Sequence, residues 1–230
     1  MRIRGSSALV AEALGTFLFF FVGMGSVVLG DYQSAGGGSG PGLLGVALAH
    51  GLVLAVLVSA LGAVSGAHFN PAVTLAAWIM GKIEPARAGL YVAAQLLGAV
   101  AAGLALRLAF PDSWQSSNIG TPALGAGVTP LMGIGIEAVL TVVLVVAVIG
   151  TAIDARGPRI GGMAIGLAVA ADILVGGPLT GAAMNPARWF GPAVASGAYA
   201  DWYVWWIGPA IGAALAALIY RFALADPSQG

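Results

Sequence analysis

Cysteine is absent from the 230 residues, so neither a disulfide framework nor a thiolate metal site is open to this chain. Charge is scarce as well. Nine Lys and Arg balance nine Asp and Glu, 8% of the chain, so there is no basic surface for nucleic acid. No Gly-x-Ser-x-Gly turn, metal-spaced His pair or phosphate loop occurs. Gly133-Ile134-Gly135-Ile136-Glu137-Ala138 matches a dinucleotide fingerprint formally, but no strand pattern precedes it and it opens a long apolar run. These absences speak against an enzyme, a resident metal and a cofactor. What is plentiful is apolar: 59% hydrophobic residues and a mean hydropathy of +0.96 cannot present an ordinary aqueous surface. The bilayer is the expected solvent, and the 36 glycines suit membrane helices, where small residues let backbones approach.

About 20 apolar residues cross the hydrocarbon, and six runs meet that length: 7–30, 43–63, 87–110, 131–153, 161–178 and 202–225. The first is too long for a signal-peptide core and reads as a retained helix. Two shorter runs, 70–80 and 185–196, each begin at Asn-Pro and read as half-helices dipping into the membrane. Threading six helices in order puts Arg2, Arg4, Lys82, Arg87, Arg156, Arg159 and Arg221 on one side, which predicts cytoplasmic termini. Arg107, near the outer end of the third span, is the exception and is expected to snorkel to the interface. Short termini without a targeting segment point to a prokaryotic plasma membrane.

An internal repeat organises the chain. Ser65-Gly66-Ala67-His68-Phe69-Asn70-Pro71-Ala72-Val73 recurs 115 positions on as Thr180-Gly181-Ala182-Ala183-Met184-Asn185-Pro186-Ala187-Arg188. Glu12-Ala13 with Thr16 answers Glu137-Ala138 with Thr141, and Gln95 to Ala99 answers Pro209 to Ala213. Each half, about 7–110 and 131–225, holds three spans and one half-helix. Three is odd, so the second half must sit upside down, within a single channel domain over 1–230. The fold expected is all-α, six transmembrane helices plus two re-entrant half-helices in an inverted repeat.

Asn is a leading N-cap residue and Pro is preorganised at the first helical position, so one Asn-Pro reads simply as a helix start. Two copies at matching places in an inverted repeat point instead to a paired pore element. Helix N-termini carry partial positive charge, so two facing one point oppose any cation. The amide groups of Asn70 and Asn185 can both donate to one water oxygen.

The doubled Asn-Pro-Ala, Asn70-Pro71-Ala72 and Asn185-Pro186-Ala187, the second followed by Arg188, resembles the aquaporin or major intrinsic protein family over roughly residues 7 to 224. The resemblance implies a homotetramer in a lipid bilayer, each protomer with its own pore for water and small neutral solutes. Counting from the asparagines carries the family's selectivity filter over to His50, Ile173, Ala182 and Arg188, a quartet similar to that of plant tonoplast intrinsic proteins. Strictly water-selective members place Phe and His where this chain has His50 and Ile173. The wider, less polar opening implied suits ammonia, hydrogen peroxide and perhaps urea. Glycerol facilitators are similar to one another in Trp, Gly and Phe at the first three positions, with Asp after the Arg; Trp189 follows Arg188 here. Glu12 and Glu137, by the same resemblance, hold the backbone of the half-helix loops.

Each filter residue also has a plainer reading: His50 as a buried histidine bonded to a neighbouring helix, Ile173 and Ala182 as ordinary packing. Arg188, one turn into a membrane half-helix, is expensive unless it meets water or carbonyl oxygens. Tonoplast members with an extended filter carry a His in the third loop. A count back from Glu137 puts Pro122 there, so the pose of Arg188 does not carry over. Asp172 stands where a neutral residue is usual, and either bonds a neighbouring helix or faces a tetramer axis or the pore vestibule. A secondary transporter also uses inverted repeats and broken helices, but it needs an ion or substrate site where this chain pairs neutral asparagines.

Overall fold

The computed structural model describes residues 5–224, so Arg2 and Arg4, counted above among the cytoplasmic charges, lie outside the described residues. No strand occurs among them. The chain forms α1 (Gly5–Ala35), α2 (Gly42–Ser65), α3 (Pro71–Ile79), α4 (Pro85–Ala109), α5 (Pro130–Val148), α6 (Gly161–Thr180), α7 (Pro186–Ser196) and α8 (Val204–Ile219). The C-terminal ends of α5 and α8 widen into π-helical turns, Ile149–Ile153 and Tyr220–Leu224.

Helix starts follow local chemistry. Pro occupies the first helical position of α3, α4, α5 and α7, and the side chains of Asn70, Thr129 and Asn185 cap three of these. Among the described residues, six helices are long and apolar enough to span a membrane. The 20 residues of α6 rise about 30 Å, the thickness of the hydrocarbon core. The 9 residues of α3 and 11 of α7 rise only about 14 and 17 Å, so it takes both, end to end, to cross. α1 continues past the expected Gly30 to Ala35, because a helix needs no apolar side chains once it leaves the lipid and meets no breaker before Gly36 and Gly37. α6 runs through Pro178 and stops at Gly181, whose φ of 78° ends the helix.

Small residues set the helix approaches, and they do so twice. A Cβ on Gly98 would strike the Ala13 carbonyl oxygen, bringing α4 onto α1, and a Cβ on Gly212 would strike that of Ala138, bringing α8 onto α5. These are matching positions of the two halves. The loops before α3 and α7 repeat an alternation of left-handed residues: Gly66, Ala67 and Phe69 (φ 90°, 50° and 48°) and Gly181, Ala182 and Met184 (φ 78°, 45° and 51°). Alanine, phenylalanine and methionine rarely adopt such angles, so something must hold them there.

Candidate functional site

Two buried carboxylates do the holding. Glu12, fully buried on α1, accepts through Oε1 from the Ser65 hydroxyl (2.6 Å) and the His68 N–H (3.0 Å), and through Oε2 from the Phe69 N–H and the Gln95 side-chain amide (both 2.8 Å). Glu137 on α5 accepts from the Thr180 hydroxyl (2.7 Å) and the N–H groups of Ala183 (2.9 Å) and Met184 (2.6 Å). Each acid answers N–H groups that a left-handed loop would otherwise leave unpaired in a low-dielectric interior, at about 1–3 kcal/mol apiece. Loop carbonyls are pinned alike, Ser65 by the Tyr91 hydroxyl and Thr180 by the Trp205 indole.

The loops thus held deliver two asparagines to one place. Each caps its own half-helix through Oδ1, Asn70 accepting from Ala72 (2.7 Å) and Asn185 from Ala187 (3.0 Å). Each then reaches across the repeat: Asn70 Nδ2 donates to the Met184 carbonyl (2.9 Å) and Asn185 Nδ2 to that of Phe69 (3.0 Å). A primary amide has two N–H groups. One is used in this exchange, and the second remains to donate to a pore water. Both asparagines line a cavity of about 360 Å³ that runs inward to Lys82, Ala152 and Ile153.

At its other end the cavity meets a vestibule of about 430 Å³, and His50, Ile173 and Arg188 stand on the walls of both, marking the waist between them. Ala182 lines the inner cavity beside them. Arg188 donates through Nη1 to the Gly120 carbonyl (2.7 Å) and through Nε to His50 Nε2 (3.3 Å). His50 Nδ1 lies 2.9 Å from the Val46 carbonyl, which can only accept. The imidazole therefore carries its proton on Nδ1 and offers Nε2 as a bare acceptor. Space for the ring comes from Gly23, where a Cβ would lie 2.6 Å from Nε2, and Phe19 meets it edge-on at 6.1 Å.

Residues 2–220 match the family model for major intrinsic proteins. The chain is 51% identical over 218 residues to Aquaporin TIP4-4 of Zea mays, covering 93% of this chain and 84% of that one. It is 47% identical to Probable aquaporin TIP3-2 of Arabidopsis thaliana, covering 94% and 82%. The chain belongs to the major intrinsic protein family. The aquaglyceroporin structure from Plasmodium falciparum superposes with a TM-score of 0.83 at 22% identity, covering 96% of this chain and 98% of that one, a likeness of fold.

Within this major intrinsic protein, the structure also amends the sequence reading. Of each Asn-Pro-Ala only the Asn reaches the cavity; Pro71, Ala72, Pro186 and Ala187 are buried in the half-helix starts. Pro122 lies on the vestibule wall, but the third loop meets Arg188 through the backbone carbonyl of Gly120, a group with no side-chain signature. Asp172 is 4% exposed and its Oδ2 has no hydrogen-bond partner among the described residues, so the expected bond to a neighbouring helix is not made by that oxygen. It lines neither of the two cavities described above. Arg107 does not merely snorkel: Nη1 donates to the Ala195 carbonyl (3.0 Å) and its guanidinium lies 4.4 Å from the Trp114 ring centroid.

Proposed function

We propose that the chain is a passive channel for water and for small uncharged solutes, ammonia and hydrogen peroxide first and urea next, with protons and ions excluded. The single observation that carries this reading is the waist of His50, Ile173 and Arg188 backed by the paired asparagines in one continuous cavity. Water finds a donor at each asparagine and at Arg188, while the positive ends of α3 and α7 and the Arg188 charge oppose cations. Ile173 and Ala182 supply aliphatic wall where a narrower filter would carry a ring, which widens the waist and lowers its polarity. Glycerol passes poorly, since no aromatic wedge grips its carbon backbone. The names of the maize and Arabidopsis relatives, both aquaporins, support the water assignment.

The working unit in this reading is one channel domain built of two inverted repeats, assembled as a homotetramer in the bilayer with both termini cytoplasmic. A prokaryotic plasma membrane gains no support from the plant relatives, and the reading of location is a multi-pass membrane protein. Stopped-flow light scattering on reconstituted vesicles tests the function: osmotic shrinkage for water, then inward gradients of ammonia, peroxide, urea and glycerol. Water flux above empty vesicles with no ammonia or peroxide flux would leave a water channel and remove the wide filter.

A further inference from the structure

The arginine that broke the charge pattern has a counterpart. Arg107, on α4, donates to the carbonyl of Ala195 in the last turn of α7; Arg221, beyond α8, donates through Nη1 to the carbonyl of Ile79 at the end of α3 (2.9 Å). The two arginines are 114 positions apart, the same offset that relates Tyr91 to Trp205 and Gly98 to Gly212. Each therefore comes from the third span of one half and caps the half-helix of the other.

The last four carbonyls of a helix have no partner within it, and the C-terminal end carries partial negative charge, so a guanidinium there satisfies both needs. The Arg107 contact is partly buried and the Arg221 contact exposed, so the first excludes more water than the second. The two caps press from opposite sides on a pair of helices whose other ends are tied by the exchange between Asn70 and Asn185.

Here the symmetry stops. The Arg107 guanidinium also lies over Trp114, whose carbonyl accepts from the Ile119 N–H (2.9 Å). Ile119 is fully buried and, with Asn118 and Gly120, forms a run of three residues at φ 49°, 58° and 69°. That run presents the Gly120 carbonyl to Arg188. A circuit results: Arg188 and Ala195 are both on α7, and Arg107, Trp114 and Ile119 join the far end of the half-helix to the loop that holds Arg188 at its near end. Among the described residues Arg221 has no such link to the waist; its ring neighbour is Phe222 on its own segment.

We infer that Arg107 and Arg221 are a matched pair of positioning residues that cap the two half-helices, and that Arg107 alone, through Trp114 and Ile119, also sets filter selectivity by fixing the carbonyl that holds Arg188. The inference rests on the channel reading above. Its test compares Arg107→Met, Arg107→Lys and Arg221→Met in vesicles, reading the ratio of urea to water permeability, which protein amount does not change. Arg107→Met raises the ratio severalfold, Arg107→Lys partly restores it because a lysine keeps the charge but not the planar stack, and Arg221→Met leaves it at the wild-type value. Should Arg107→Met fail to assemble, Trp114→Ala removes the ring under the guanidinium while keeping the arginine that donates to Ala195, and carries the same rise. An unmoved ratio in Arg107→Met or Trp114→Ala, or an equal rise in Arg221→Met, overturns the inference while wild-type water flux stands. Loss of water flux in the wild type itself overturns the channel reading, and this inference with it.

Discussion

Arg188 donates from Nε to the Nε2 of His50, and His50 can accept only because its proton is held on Nδ1 by the Val46 carbonyl. The two polar side chains of the filter are thus bound to each other, and the imidazole spends its polar atoms on protein. Arg188 is left as the donor at the waist, where Ile173 supplies aliphatic wall.

Replacing His50 and Ile173 together should narrow the selectivity to water. In the double variant His50→Phe with Ile173→His, a ring fills the side of α2 and an imidazole returns a polar group to α6. Water flux is retained, and ammonia and peroxide flux falls toward that of lipid alone. Solute-panel stopped flow on matched vesicles checks it; ammonia flux unchanged in the double variant would mean that these positions do not set the width.

Asn185→Ala removes a helix cap and strands the buried carbonyl of Phe69. The cap contributes about 1 kcal/mol and the stranded carbonyl costs about 1–3 kcal/mol. Asn70→Ala repeats this at the Met184 carbonyl. Both variants should melt at lower temperature in detergent and pass less water per protomer. A melting temperature equal to wild type would show that the exchange between the two loops carries no stability.

Arg188→Ala leaves the two half-helix N-termini in place and deletes the charge in front of them. Alkali cation and proton leak should rise modestly, well short of the water flux, since the central positive ends still oppose cations. A pH-sensitive dye inside the vesicles reads this. Wild-type proton leak matching water flux would refute the electrostatic account.

Just beyond α5, Asp154 accepts from two atoms of the Arg156 side chain, from the Arg156 N–H and from the Tyr220 hydroxyl (2.8 Å). The Arg156 hydrogen bonds foremost hold its carboxyl well below the usual range, with Tyr220 adding to them. A depressed acid contributes stability that is present above its unfolded pKa, about 3.9, and lost as pH falls through the folded value. Wild type and Asp154→Asn should differ in melting temperature by a constant amount from neutral pH to about pH 5, the gap closing only in stronger acid. A gap that closes between pH 7 and 5 would contradict the clasp.

Much of this was legible in the sequence because bilayer thickness and helix rise fix span lengths, and because a doubled Asn-Pro at matching offsets has few other uses. Glu12 and Glu137 were legible as a pair for the same reason. What stayed hidden was carried by backbone: the Gly120 carbonyl that holds Arg188 has no residue-type signal, and neither does the Val46 carbonyl that chooses the His50 tautomer. Arg107 looked like a stray charge because its partner, the Ala195 carbonyl, is 88 residues away; only its 114-residue offset from Arg221 could have flagged it. The surroundings of Asp172 stayed open in the sequence because the side of α6 it occupies depends on helix packing, not on its neighbours in the chain.

The central claim is a continuous water path through the chain, and osmotic water permeability of vesicles holding purified protein, followed over temperature, tests it most directly. The account predicts permeability well above empty vesicles with a low temperature dependence, as water passes from Arg188 to the asparagines without crossing lipid. Permeability no higher than lipid, with the lipid's steep temperature dependence, would contradict it.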